Sequence, residues 1–371
     1  MNEYFVITTP GIEEVTKQEL AALGINATTE YGGLTFKGDA SDMYKANYFL
    51  RTANRVLSRI GQPFYARSFQ ELTERIYNLP WEKHFDLRFD FEFQVSCSHS
   101  KLMHTGVITK FAAQALDQKL NAKCKPTKLE KSIKQLINLR IDHDKLTASI
   151  DSSGQILYKR GYRQEVTRSP IRETLAAALV MVSGWDQASP LIDPFCGSGT
   201  IPLEGSQMAF NIPAGYHRGF AFTDWLDFDY KTWKSIKDGV KIDFEKKIEV
   251  FGYDRDAGAI EIAQSNAQRA GVADRVTFEC QALSYLTNKN RHGWIVTNPP
   301  YGHRLQEGND LRNLYAQLGK VLKAETPGWT LALVTNDIKL SGHSGLKFEQ
   351  LNQVSNGGIK TVFEKCVIPK S

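Results

Sequence analysis

The ten residues Leu191 to Thr200, Leu-Ile-Asp-Pro-Phe-Cys-Gly-Ser-Gly-Thr, concentrate the residue types that can do chemistry. Leu191 and Ile192 read as the end of a short buried strand, and Ile201 to Met208 read as a helix. Between them Gly197 and Gly199 make a tight turn where a ligand can approach bare backbone amides. A strand, a glycine turn and a helix in that order form a nucleotide-cofactor loop. It is not the dinucleotide fingerprint: no third glycine follows Gly199 at the required spacing, and the next acid that could hold a ribose, Asp254, lies roughly 55 residues on instead of about 20. A nicotinamide cofactor is therefore disfavoured. The second chemical run is Thr297 to Gly302, Thr-Asn-Pro-Pro-Tyr-Gly. Alone, Asn-Pro-Pro is ordinarily a plain turn. Placed after the first run, it offers the Asn298 side-chain oxygen and the Pro299 carbonyl as acceptors for a planar exocyclic amine. Proline stiffens that loop, and Tyr301 provides a face on which a flipped base can stack.

The first run resembles the S-adenosylmethionine loop of amino-methyltransferases that carry Asp-Pro-Phe-x-Gly-Ser-Gly-Thr, and Thr-Asn-Pro-Pro-Tyr-Gly supplies the second half of the resemblance. It implies S-adenosyl-L-methionine as cofactor, held by Asp193, Pro194, Phe195, Cys196, Gly197, Gly199 and Thr200, with Asn298 at the methyl. Asp193 would face the cationic methionine end, Asp254 the two ribose hydroxyls, and Gln281 and Ala282 the adenine. Relatives commonly place an acid near Gln281; this chain has none. Both aspartates also have purely structural readings, Asp193 as a helix cap and Asp254 as a turn residue. Asn298, Pro299, Pro300 and Tyr301 are the expected catalytic set. An exocyclic amine is a poor nucleophile because its lone pair is delocalised into the ring. Two acceptors let it pyramidalise toward the methyl carbon, so positioning and electrostatics suffice and no strong base is needed.

The elements that must position these loops alternate. Strands ending at Asp193 and Asp254, a helix at 257–270, strands at 275–279 and 294–297, a helix at 311–322 and a strand at 330–334 predict a parallel sheet covered by helices, with ligands at the carboxyl ends. Between Gly205 and Lys247 lies an insertion rich in aromatics, including Phe220, Phe222, Trp225, Phe228, Tyr230 and Trp233. The expected fold is thus α/β, a Rossmann-like methyltransferase domain over residues 156–371, linker included.

Ahead of it, residues 1–45 alternate strand and helix as a small ferredoxin-like unit. Residues 46–155 resemble a THUMP domain, an RNA-binding module of tRNA and rRNA modifying enzymes, through Ser96-Cys97-Ser98-His99-Ser100-Lys101-Leu102-Met103-His104. Here the pattern predicts strands at 55–60 and 89–96, helices at 69–79 and 100–120, a basic helix ending at Asn138, and a hairpin of 145–150 with 155–159. Between Lys119 and Arg140 stand Lys119, Lys123, Lys125, Lys128, Lys131, Lys134 and Arg140 against the single acid Glu130. Ordinarily such a run is a solvated face; beside a methyltransferase core it reads as a phosphate footprint. The linker adds Lys159, Arg160, Arg163 and Arg168. The expected RNA contacts are Lys101, Lys123, Lys125, Lys128, Arg160 and Arg163.

Composition sets limits. A chain of 371 residues, 42% hydrophobic and 23% charged, suits two or three globular domains, and a net charge of +5 is weak evidence for nucleic acid by itself. Five cysteines without a Cys-x-x-Cys pair support neither a disulfide framework nor a structural zinc. Cys196 reads as a small side chain in a tight turn, and His99 and His104 as polar caps, so no metal is expected. The amino terminus shows no secretory leader and no apolar run is long enough for a membrane span, which leads to the expectation of a cytoplasmic protein. Chain order, linker and insertion together resemble the THUMP-containing 23S rRNA guanine-N2 methyltransferases of the RlmL type, in their amino-terminal half. The resemblance implies transfer of methyl to N2 of a guanine in large-subunit rRNA. A tRNA guanine or, for the same tetrad, a DNA N6-adenine stands as the alternative target.

Overall fold

A computed structural model describes residues 1–125, 133–165, 171–287, 292–301 and 311–370. Expected features at Lys128, Lys131, Arg168 and Gly302 lie outside the described residues.

The amino-terminal half runs β1 (Asn2–Thr8), α1 (Glu13–Ala22), β2 (Ala27–Glu30), β3 (Gly33–Gly38), α2 (Ala40–Phe49), β4 (Ala53–Arg59), β5 (Phe64–Tyr65), α3 (Phe69–Tyr77), β6 (Phe89–Ser98), α4 (Thr105–Lys123), β7 (Ile133–Asp142) and β8 (Lys145–Asp151). Local chemistry sets the helix starts: Asp39 and Asp42 form a reciprocal capping box on α2, and the Ser68 hydroxyl accepts from Glu71 N on α3. The strands form one sheet in the order β2-β3-β1-β4-β8-β7-β6, with β5 paired to β8. A boundary after residue 45 falls inside α2, and β1 pairs with β4 from Tyr4↔Ser58 to Thr8↔Ala53. The two expected amino-terminal units therefore share a continuous sheet.

Two expectations in this half are corrected. The basic helix ending at Asn138 is the strand β7: Gln135, Ile137, Leu139 and Ile141 are buried at every second position, a period that only a strand can present to one face. The hairpin also forms differently. β8 pairs with β7 across His143 and Asp144, whose φ of 50° and 60° make the left-handed turn that a two-residue hairpin needs. Residues 155–159 are not a strand.

The second half runs α5 (Glu173–Ser183), β9 (Leu191–Asp193), α6 (Thr200–Ala209), α7 (Tyr230–Asp238), β10 (Val250–Asp254), α8 (Ala257–Arg269), β11 (Thr277–Cys280), β12 (Trp294–Thr297), α9 (Leu311–Glu325), β13 (Thr330–Thr335), α10 (Ile338–Gly342), β14 (Glu349–Asn356) and β15 (Ile359–Val367). The sheet order is β11-β10-β9-β12-β13-β15-β14, parallel from β11 to β13 and antiparallel beyond. The order reverses direction at β9, so the loops after β9, β10 and β12 open at a topological switch point, where such sheets bind ligands. The β14–β15 hairpin was not anticipated.

The halves are joined in two ways. The aromatic insertion between α6 and β10 packs into the amino-terminal core, not its own: Phe220, Phe222, Trp225 and Trp233 are buried with Tyr44, Tyr48 and Phe85. Tyr44 stacks on Phe222 at 4.5 Å, and the Trp225 indole N–H donates to Gln135 Oε1 at 2.8 Å. Arg218 fastens the segment after β8, donating to the carbonyls of Ile156 at 2.8 Å and Ser153 at 3.1 Å, and to that of Gln155. The second joint is a buried ionic cluster on Glu204 of α6, whose side chain is inaccessible to solvent. Glu204 lies 3.3 Å from Arg160 Nε and 3.8 Å from Arg51 Nη1, and accepts from the Tyr162 hydroxyl at 2.9 Å. Arg51 also donates to the Ile212 carbonyl, and Arg160 to the carbonyls of Arg51 and Leu157.

Removing one member of a buried ion cluster leaves the others uncompensated, which costs about 3–5 kcal/mol. Glu204→Gln should therefore lower the unfolding free energy by that amount in guanidinium titrations at neutral pH. A loss below about 1 kcal/mol, typical of a surface pair, would show that Glu204 is not the joint described here.

Candidate active site

The run Asp193–Thr200 leaves the end of β9 and turns back into α6. Gly197 and Gly199 have φ of 50° and 81°, backbone that favours glycine. At Gly199 the packing adds a second reason: a Cβ would lie 2.8 Å from Phe278 and 3.1 Å from Ala263. Cys196 N donates to Tyr253 O at 2.9 Å, and Asn266 of α8 donates from its amide to Ser198 O at 3.0 Å, tying the loop to β10 and α8. Cys196 is buried, and burial beside Asp193 and Asp254 pushes its thiol well above the ordinary range. A protonated, enclosed thiol is no nucleophile, in agreement with its reading as a small side chain.

Asp193 and Asp254 end adjacent strands, with Gly252 of β10 opposite Asp193. Asp254 accepts from Gly197 N at 3.0 Å and from Asp256 N at 3.0 Å. Asp193 accepts from Phe195 N at 3.1 Å and from the Thr297 hydroxyl at 2.6 Å. Asp254 thus holds turns, as its structural reading allows, whereas Asp193 caps no helix, the N-cap of α6 being Gly199; both end on the rim at the carboxyl ends of the strands. Burial, opposed by the Thr297 hydroxyl and Phe195 amide bonds, and reinforced by the Asp254 charge, pushes Asp193 up to about 7. Gln281 N donates to Asp254 O at 2.9 Å, and Gln281 and Ala282 sit half-buried at the neighbouring rim.

The Thr297–Asp193 hydrogen bond joins the two chemical runs. Thr297 ends β12, which pairs with β9 through Trp294↔Leu191 and Ile295↔Ile192, so Asn298 begins its loop directly beside the glycine turn. Asn298 Oδ1 is buried and has no hydrogen-bond partner among the described residues. A buried acceptor left unpaired costs about 1–3 kcal/mol and points to a donor brought by a ligand. Pro299 is buried and Pro300 half-buried. Tyr301 departs from expectation: it is fully buried, with its hydroxyl accepting from Asn356 Nδ2 at 3.2 Å at the tip of the β14–β15 hairpin. The ring is enclosed, not an open face for a base.

Lys101, Lys123 and Lys125 are exposed. Two linker arginines are corrected. Arg160 is only 2% exposed and spent on Glu204. Arg163 pairs with Glu173 at 3.0 Å and donates to the Ile171 carbonyl at 2.6 Å. Neither guanidinium is available to a phosphate. Thr297 stood in the second chemical run without a role of its own, Glu204 and Glu173 read as ordinary helix positions, and Asn356 lies in the hairpin that was not anticipated.

A Rossmann-like sheet whose switch point carries an Asp-Pro-Phe-Cys-Gly-Ser-Gly-Thr turn beside an Asn-Pro-Pro-Tyr loop defines a methyltransferase. The chain belongs to the family of RMKL-like methyltransferase domains (UPF0020), whose model matches residues 160–365, while residues 3–57 match the RlmL ferredoxin-like domain. It is 31% identical over 368 residues to YpsC of Bacillus subtilis (strain 168), itself assigned only provisionally as an RNA methyltransferase, covering 97% of this chain and 95% of that one. Among solved structures it resembles SMU.472, a provisionally assigned methyltransferase complexed with SAH, at TM-score 0.91 and 30% identity over 100% of this chain and 99% of that one. It also resembles a predicted N6-adenine-specific DNA methylase from Listeria monocytogenes str. 4b F2365, at TM-score 0.89 and 31% identity, covering 98% and 95%.

Thr297→Val removes the donor to a buried carboxylate, so it should cost about 1–3 kcal/mol. The sign with pH follows from the raised Asp193: the folded carboxyl keeps its proton to about pH 7, and the hydroxyl matters most once the charge appears. The loss measured by urea unfolding should therefore be larger at pH 8 than at pH 5. An equal loss at both would mean that the pair does not titrate as described.

Proposed function

We propose that this chain transfers a methyl group from S-adenosyl-L-methionine to the exocyclic N2 of a guanine in 23S rRNA. The observation that carries the reading is the buried Asn298 Oδ1, without a hydrogen-bond partner among the described residues and one residue from the Thr297–Asp193 bond. It sets an acceptor for an amine N–H beside the loop assigned to the cofactor. The residues fit that cofactor: Asp193 and Asp254 for its cationic and ribose ends, the glycine turn for close backbone approach, and Gln281 and Ala282 for the adenine. When bound, it supplies an electrophilic methyl on a sulfonium.

The chain's own part is positioning. Asn298 Oδ1 and the Pro299 carbonyl would accept hydrogen bonds from the two amine N–H groups, which favours a pyramidal nitrogen with its lone pair directed at the methyl. The two prolines hold that loop stiff. RNA is favoured over DNA by the THUMP resemblance, while the exposed Lys101, Lys123 and Lys125 are available to a phosphate backbone of either kind; a cytoplasmic location goes with this reading. No helix among the described residues is long and apolar enough to cross a membrane. The description of the Listeria relative favours the second reading, DNA N6-adenine, and a tRNA guanine is the nearest alternative.

Labelled cofactor offered with separated rRNA, tRNA and DNA should place label on large-subunit rRNA, as N2-methylguanine on nucleoside analysis. Label confined to tRNA or to DNA would reject the rRNA assignment. Asn298→Ala should lower kcat by about 10²–10³-fold, the scale of losing one preorganised contact to the reacting group, with cofactor affinity nearly unchanged. Because Asp193 ionises near pH 7 and the cofactor is cationic, its affinity should rise about tenfold between pH 6 and pH 8. Calorimetric titration of Asp193→Asn should show that dependence flattened.

A further inference from the structure

The open end of the amino-terminal sheet gathers ligand-type side chains far from the methyl-transfer loops in sequence. β6 and β7 run parallel and in register from Phe89↔Ile133 to Ser98↔Asp142. The residues that follow the two strands, His99 and His143, therefore emerge side by side, although His99 and Asp142 are 43 residues apart. Both histidines take left-handed backbone, φ 46° and 50°, which is uncommon and costly for a side-chain-bearing residue. Their rings stack at 4.8 Å. Nδ1 of His99 lies 3.4 Å and Nδ1 of His143 3.1 Å from the same carboxylate oxygen of Asp142. One ligand atom from each residue falls within 4.8 Å of the others.

We propose that His99, Asp142 and His143 form a binding site for a divalent transition ion of the zinc class. Zinc takes imidazole nitrogen and carboxylate oxygen at about 2.0–2.1 Å, so the edges of a tetrahedral set are roughly 3.3–3.4 Å. The two nitrogen–oxygen edges of the cluster, 3.4 and 3.1 Å, lie near that value, while its ligand atoms span up to 4.8 Å, so an exposed imidazole must turn slightly to close the set on an ion. Two imidazoles with one carboxylate suit zinc, cobalt, nickel or copper, and not calcium or magnesium, which require mostly oxygen. Three protein ligands leave a position for water.

The surroundings hold the ligands in place without the ion. The Ser98 hydroxyl donates to Asp142 at 2.7 Å, the kind of outer contact that orients a ligating carboxylate. Asp144 stays out of the set: its oxygens accept from Lys101 N at 2.7 Å and Arg67 Nε at 3.3 Å. Ser100 accepts from Asp144 N at 2.9 Å and donates to Ser98 O at 2.7 Å, closing the turn on itself. The ion would clip the ends of β6 and β7 and fix the segment that presents Lys101. The competing state is the same cluster held by hydrogen bonds alone, with both Nδ1 atoms protonated toward Asp142.

Calorimetric titration of the chelator-stripped full-length protein with zinc chloride separates the two. A Cys280→Ser background removes the exposed thiol. The expected result is one equivalent bound at micromolar or tighter affinity, weakened about tenfold or more by His99→Ala and by His143→Ala, with cobalt giving the visible bands of a four-coordinate nitrogen–oxygen set. The histidine side chains are 73% and 74% exposed, so both variants should melt as the parent does in chelator. Millimolar binding, or binding that neither substitution weakens, overturns the proposal. The readout is independent of methyl transfer, so it stands or falls apart from the proposed function.

Discussion

The buried carboxylate of Glu204 is the constraint on which the arrangement of the two halves depends. It sits on the first helix after the glycine turn and is met by Arg51 from the segment entering β4, and by Arg160 and Tyr162 from the linker. Each of these charges would be costly to bury alone. Together they allow one register: shifting the amino-terminal half relative to α6 would strand a carboxylate or a guanidinium without its counter-charge. Arg51 also donates to the Ile212 carbonyl, so the contact reaches the start of the aromatic insertion. Apolar packing is tolerant of small displacements, whereas this cluster is not, and it lies one helical turn from the glycine turn proposed to hold the cofactor.

The aromatic insertion gives the same joint its apolar area. Phe220, Phe222, Trp225 and Trp233 belong in chain order to the methyltransferase half but fill the core beneath α2 and the amino-terminal sheet. The β14–β15 hairpin provides a third tie, with Asn352 donating to the Gly11 carbonyl at 2.8 Å and Asn356 to the Tyr301 hydroxyl at 3.2 Å. A single hairpin therefore touches both the amino-terminal half and the loop of Asn298, so the loop proposed to meet the substrate is braced against the other half.

What sequence discloses here follows from the range of the physics. Although the ligands proposed for them rest on the resemblance, Asp193, Asp254 and Asn298 could be singled out because strand period is local and they stand at or just past strand ends, and Gly197 because a glycine turn is local. The parallel order from β9 to β13 was legible for the same reason. Arg160 and Arg163 were misread because a basic residue bound for a buried partner looks identical to one bound for a phosphate; Glu204 and Glu173, the partners that decide, read only as helix positions. β7 was misread because the lysines ahead of it, with Lys134 and Arg140 inside it, obscured the period of Gln135, Ile137, Leu139 and Ile141. Tyr301 seemed an open face because nothing near it in sequence announces Asn356 across the hairpin tip. His99 and His143 meet only through the β6–β7 ladder, a parallel pairing that no local pattern specifies.

The active rim carries two polar arrangements that folding by itself does not favour. Asp193 is enclosed and near Asp254, which holds its carboxyl near neutrality, and Asn298 Oδ1 is buried without a donor among the described residues. Both are joined through Thr297, so neither can relax without disturbing the other. A cation placed against the first and an amine N–H against the second would relieve both at once. A site built this way is less stable empty than an apolar one, and local rules broken at paired positions on a ligand-binding rim are a mark of function, not of poor packing.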